Sequence, residues 1–147
     1  MSNMKSLKKV QTYLLAECFN KLFIGGQFVD PIDGGKFPTY YPATGELLHE
    51  LPQGKANDVE EAISAAENAW AEGTWAGMSA TDRAEIVFKM AQGIEDNLEM
   101  LAEIEAADVG KPYRQAAMVM GGAAGEGKYW CSLGKALDTE QDLPVNS

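Results

Sequence analysis

At 147 residues the chain has the size of one domain, and its 46% hydrophobic and 23% charged content is globular rather than disordered. A formal net charge of −10 repels phosphate backbones and anionic bilayers, which argues against nucleic acid and membrane surfaces as partners. One histidine, His49, and two widely spaced cysteines argue against a His-based metal cage, an in-chain His-dependent triad and a disulfide framework.

The opening MSNMKSLKKVQTYLLAECFNK has an early basic cluster but no long apolar run and no cleavage site. It reads as an amphipathic helix within residues 1–20, with Val10, Tyr13, Leu14 and Phe19 on one face, rather than as a targeting signal. No apolar run approaches membrane-spanning length, so a cytoplasmic protein is expected. KLFIGGQFVD places two short apolar runs around Gly25-Gly26, a pair suited to a two-residue hairpin loop. KFPTYYPATGELLHELPQG predicts a second hairpin, with Phe37 to Tyr41 extended, a turn at Pro42 to Gly45, and a return over Leu47 to Leu51.

After Gly54 the hydrophobic period changes from two to about 3.6. Asn57 with Glu60 predicts a capped helix start, Val59, Ile63, Ala66 and Trp70 share one face, and Gly73 ends it. A second helix is expected from Ser79 and Asp82, with Ile86 or Val87, Met90, Ile94 and Leu98 as its stripe. Asp96 and Glu99 signal a break and a third helix through Leu101 and Ile104 to Asp108, stopped by Gly110 and Pro112. A fourth starts near Pro112 and carries Met118, Val119, Tyr129 and Trp130, and DLPVNS reads as the opening of a strand. Hairpins followed by helices suggest α+β organisation.

Four candidate chemistries stand beside plainer alternatives. Gly122, Gly127 and Lys128 fit most of a P-loop, but KPYRQAAMVM before them reads as helix and Tyr129 replaces the magnesium-binding hydroxyl. The plainer reading is a glycine-weakened helix whose small residues let another element approach closely. Cys131 and Cys18 lack histidine context and read as packed thiols. Glu99, Glu103, Glu105 and Asp108 read as a solvated acidic face rather than paired catalytic carboxylates, and His49 as a strand residue without chemical consequence. No catalytic constellation is present on residue chemistry alone.

Three stretches in order, LFIGGQFVD, YPATGELLHELPQGKANDVEEAISAAENAW and RAEIVFKMAQGIEDNLEMLAEIEAADVGKP, resemble the N-terminal segment of the NAD(P)-dependent aldehyde dehydrogenases. The similarity covers about residues 20 to 145. It implies the N-terminal part of that α/β family fold, two β-hairpins followed by three to four α-helices. Residues 1–20 would be the N-terminal helix, 21–140 part of the cofactor-binding domain, and 141–147 the start of the oligomerisation arm. In the family a cysteine thiolate attacks the aldehyde, hydride passes to nicotinamide, and water releases the acid. Those residues lie downstream of the matched region, so the resemblance implies that this chain alone is inactive and binds no NAD or NADP.

The resemblance also implies a monovalent-cation site. Thr39 and Tyr40 would supply backbone oxygens and Asp108 a carboxylate, donors suited to a hard cation. Tyr41 stands where the family's turn motif has Asn. The expected partners are a downstream catalytic segment or a second copy, with homo-oligomers in the full-length family. Competing readings are a non-catalytic interaction scaffold and, third, a nucleotide-binding module at Gly122 to Lys128.

Overall fold

The computed structural model describes residues 2–136. The strand expected at DLPVNS and the arm expected from residue 141 lie outside the described residues. In chain order the elements are α1 (Ser2–Tyr13), a 3-10 turn (Glu17–Phe19), β1 (Leu22–Ile24), β2 (Gln27–Val29), β3 (Lys36–Tyr40), β4 (Leu47–Pro52), α2 (Ala56–Ala71), α3 (Ala80–Asp96), α4 (Leu98–Val109) and α5 (Tyr113–Ala136). The strands form two separate antiparallel hairpins, β1–β2 and β3–β4, with four helices after them.

Gly25 and Gly26, at φ of 59° and 78°, close the first hairpin in the conformation its two-residue loop demands. The second hairpin pairs Lys36 with Pro52 through Thr39 with His49, then shifts so that Tyr40 opposes Leu47. Leu48 is the extra residue of that bulge, and it points inward at 3% exposure while its neighbour Leu47 stays at 48%. Around it lies the main apolar cluster, built from Leu7, Val10 and Leu14 of the N-terminal segment, Leu48, and Ala107 of α4. Phe19, Tyr41 and Ile104 pack against it. Val10 and Leu14 bury the face that the spacing of the opening segment predicts, but the helix ends at Tyr13 and Phe19 reaches the cluster from the 3-10 turn.

Asn20 ties this cluster to the strands. Its amide nitrogen donates to the carbonyls of Leu14 (2.9 Å) and Ala16 (2.8 Å), which leaves its oxygen as acceptor for His49 Nε2 at 3.1 Å. The imidazole proton therefore sits on Nε2. Half-burial in this position holds the His49 pKa below its ordinary value, with Lys36 adding to the effect.

The start of α2 differs from expectation. Lys55 is the N-cap and Asp58 the third helical residue, so Asn57 lies inside the helix instead of capping it. Asp58 accepts from the backbone N–H of Lys55 at 2.8 Å and from that of Ile32 at 2.9 Å, fastening the loop after β2 to the helix start. A carboxylate reaching both a helix end and a distant loop satisfies two orphan donors, which the local Asn57–Glu60 spacing could not reveal.

Those two hydrogen bonds hold Asp58 below its ordinary pKa of 3.8, the Ile32 bond foremost. The stabilisation is therefore complete above that value and is lost as pH falls through the lower folded-state pKa. We expect the difference in stability between the protein and Asp58→Asn, followed by circular dichroism, to be constant at neutral pH and to shrink below about pH 4. A difference unchanged down to full acid denaturation would contradict it.

The α3 start follows expectation. Ser79 caps it, accepting from the Asp82 N–H at 3.0 Å, while its hydroxyl donates to the Asp82 carboxylate at 2.8 Å. Helices α3, α4 and α5 then pack together. On α3 the buried positions are Ala84 and Ala91, with Val87 and Ile94 half-buried, whereas Met90 is 66% exposed. The packed face is rotated from the expected stripe because α5 meets it with small residues, including Ala124, Gly127, Cys131 and Gly134. A Cβ at Gly127 would lie 3.1 Å from the Ala91 Cβ, and one at Gly134 would lie 3.7 Å from the Ala84 Cβ.

The glycines of α5 are not equivalent. Gly122 faces open space, so Gly122→Ala should stabilise by about 0.5–1 kcal/mol through helix propensity. Gly127→Leu should cost about 1–3 kcal/mol by forcing α3 away. Thermal melts of the two variants check this pair, and equal shifts would contradict the close approach.

Candidate functional site

Thr39 and Tyr40 lie at the end of β3, and Asp108 is the next-to-last residue of α4. The end of α4 meets the hairpin turn directly. Gly110 caps the helix in the left-handed region at φ 76°, and a Cβ there would stand 3.1 Å from the Pro42 Cβ. Any side chain at this position is both strained and obstructed. The contact joins the two ends two residues from Tyr40 and two from Asp108. Tyr41 holds the turn, donating its N–H to the Glu46 carbonyl at 2.8 Å and accepting from the N–H of Gly45 at 2.8 Å. The aromatic residue in place of Asn therefore leaves the turn closed, and its ring packs against the apolar cluster.

Asp108 is exposed and makes no ion pair among the described residues, and the donors at this junction are oxygens of the type a hard cation takes. No group of three or more His, Cys, Asp or Glu side chains is gathered in metal-ligand fashion among the described residues.

Beside the junction lies a cleft of about 520 Å³, bordered by Leu7, Tyr41, Ala43, Glu103, Gly110 and Lys111. Here the acidic set departs from expectation. Glu103 is half-buried and bonds Lys9 Nζ at 2.8 Å, Glu99 bonds the same nitrogen at 3.0 Å, and half-buried Glu105 pairs with Lys111. Glu103 Oε2 is buried without a hydrogen-bond partner among the described residues. Hydrogen bonding to Glu103 chiefly, and to Glu99, holds the Lys9 pKa well above the ordinary lysine value. The sequence carries one sign of this arrangement, a lysine flanking the apolar face of the first helix.

The thiols divide. Cys131 is buried on the α3-facing side of α5, as expected, but Cys18 is exposed in the 3-10 turn rather than packed. A three-residue turn has no second face to bury, so the residue after Glu17 is left outside. Neither has a histidine partner, since His49 is engaged by Asn20.

Gly121 to Lys128 lies wholly inside α5. Backbone N–H groups there are spent on the helix rather than turned toward a phosphate. Lys128 pairs with Glu95 at 2.6 Å and sits 5.4 Å from the centre of the Phe88 ring. These residues do not fit a nucleotide phosphate. Calorimetry with magnesium and ATP should give no saturable heat, and micromolar binding abolished by Lys128→Ala would contradict the helix.

Comparisons with known proteins agree with this architecture. The model of the aldehyde dehydrogenase family matches residues 28–147. The chain is 42% identical over 101 residues to the mitochondrial benzaldehyde dehydrogenase of Antirrhinum majus, covering 69% of this chain and 19% of that protein. Among solved structures, it resembles an NAD-dependent aldehyde dehydrogenase from Sinorhizobium meliloti, with 33% identity, TM-score 0.76, and coverage of 80% of this chain and 24% of that one. At 23% identity it shares its fold (TM-score 0.83) with a Staphylococcus aureus betaine aldehyde dehydrogenase in complex with NAD+, covering 96% of this chain and 28% of that one. The chain thus spans only 19% to 28% of these proteins' lengths. The match over residues 28–147 and the shared fold show that the chain belongs to the aldehyde dehydrogenase family and corresponds to its N-terminal region.

Proposed function

We propose that this chain is the N-terminal portion of an NAD(P)-dependent enzyme that oxidises aldehydes to carboxylic acids, and that these residues alone neither catalyse nor hold the dinucleotide. One observation carries the reading. Helix α5 is small-residued on the side facing α3 and bears exposed Met118, Val119, Tyr129 and Leu133 away from it, with exposed Trp130 at the edge beside Val87. A helix apolar on both sides belongs in an interior. The stripe Val59, Ile63 and Trp70 of α2 is likewise exposed. These faces fit cover by the downstream catalytic segment and, in the assembled enzyme, a homo-oligomer.

Within this reading Thr39 and Tyr40 offer backbone oxygen, and Asp108 its carboxylate, to a monovalent cation at the junction of the second hairpin with α4. The domain limits follow the same reading, with an N-terminal helix in 1–20, cofactor-domain structure over 21–140 and an oligomerisation arm from 141. A cytoplasmic location accords with two free cysteines. No helix among the described residues is long and apolar enough to cross a membrane.

The test is direct. The purified chain, given NAD or NADP and a panel of aldehydes, should produce no reduced cofactor, and co-expression with a downstream segment of the family should restore turnover. Activity of the chain alone that Cys131→Ala abolishes would overturn the reading.

A further inference from the structure

We propose that α1 is a strap, fastened at Lys9, that holds the second hairpin and α4 in register. Leu7, Val10 and Leu14 are three of the five buried members of the apolar cluster that joins β4 to α4. The other two, Leu48 and Ala107, come from β4 and α4. Leu48 is presented by a bulge, a register irregularity that needs an apolar partner on that side. Gln11 adds a polar tie, its amide donating to the Leu47 carbonyl at 3.0 Å.

The fastening itself is ionic. Lys9 sits between Glu99 and Glu103 on the first two turns of α4, with the Tyr13 ring centre 5.6 Å from its nitrogen. Glu103 is the half-buried member, and its second oxygen already lacks a partner. Loss of Lys9 leaves that carboxylate desolvated and unpaired, which costs more than the pair itself contributes. Lys9 is half-exposed, so salt reaches the pair. The apolar face thus supplies adhesion, and the lysine sets the position of α1 along α4. Release of α1 widens the cleft beside Gly110 and Lys111, because Leu7 forms one of its walls.

Hydrogen–deuterium exchange on the whole chain tests the strap. Lys9→Met should speed exchange of α1, β4 and α4 amides roughly five- to tenfold, the factor for losing a hydrogen bond of ordinary net strength at a half-exposed site. Raising salt to about 1 M, where the screening length is about 3 Å, should move the unmodified protein the same way. The double variant Lys9→Met with Glu103→Gln should exchange more slowly than Lys9→Met alone, since the unpaired charge is gone. Amides of α3 should be unchanged throughout. Unaltered α1 exchange in Lys9→Met, or equal acceleration in every helix, would overturn the proposal.

Discussion

Gel filtration with light scattering should show the purified chain as self-associated species that bind a hydrophobic dye, relieved when a downstream family segment is co-expressed. Trp70 is 71% exposed, Met118 68% and Trp130 63%. Each large apolar side chain withheld from water contributes about 1.5–3 kcal/mol, so three of them rival a small domain's whole margin. The α3 stripe is only partly served, because Val87 and Ile94 are half-buried while Ile86, Phe88 and Met90 stay exposed. Exposed apolar side chains thus lie on α2, on the outer side of α5, and also on the hairpins and α3, where Phe23 and Met90 are each 66% exposed. The two hairpins are separate two-stranded ribbons, and their unpaired edges invite further pairing. A net charge of −10 opposes association without supplying a core. A sharp monomer peak with a cooperative melt would contradict this and make the scaffold reading the stronger one.

Leu48→Ala should destabilise the α1–β4–α4 unit by about 2–5 kcal/mol, the range for emptying a well-packed leucine site. Leu47→Ala, one residue earlier in the same strand, should change stability by less than about 0.5 kcal/mol because that side chain is largely in water. The contrast tests the bulge. Regular alternation without the shift at Thr39/Tyr40 would alter which of the two leucines the hairpin presents to α1. Denaturant unfolding followed by the far-ultraviolet signal reads both variants. Equal effects, or a larger effect at Leu47, would refute the register.

Much of the architecture was legible because its signals are local. The Gly25-Gly26 loop, the Ser79 cap, the break near Asp96 and the Gly110 stop each depend on residues within one or two turns. Expectations failed where a distant partner decides the outcome. Asp58 displaces Asn57 at the start of α2 because a loop residue, Ile32, supplies the second donor. Ala91 rather than Met90 faces inward because α5 arrives with Gly127. Glu103 is half-buried because Lys9 comes to it from a helix more than ninety residues earlier in the chain. The position of the candidate cation ligands was readable only through resemblance, since one carboxylate and two backbone oxygens leave no compositional trace.

The seam between α3 and α5 also sets how the chain can vary. At its tightest point a Cβ added at Gly127 would lie 3.1 Å from that of Ala91, so a larger residue at either position cannot be absorbed by the other. Change across this seam has to be correlated, a larger residue on one helix requiring a smaller one opposite. A library randomised at Ala91 and Gly127 should return folded members confined to Gly, Ala and Ser, with their combined volume nearly constant. Of the two glycines that look like a phosphate turn, Gly127 is then a limit on size at the seam, while Gly122 is not.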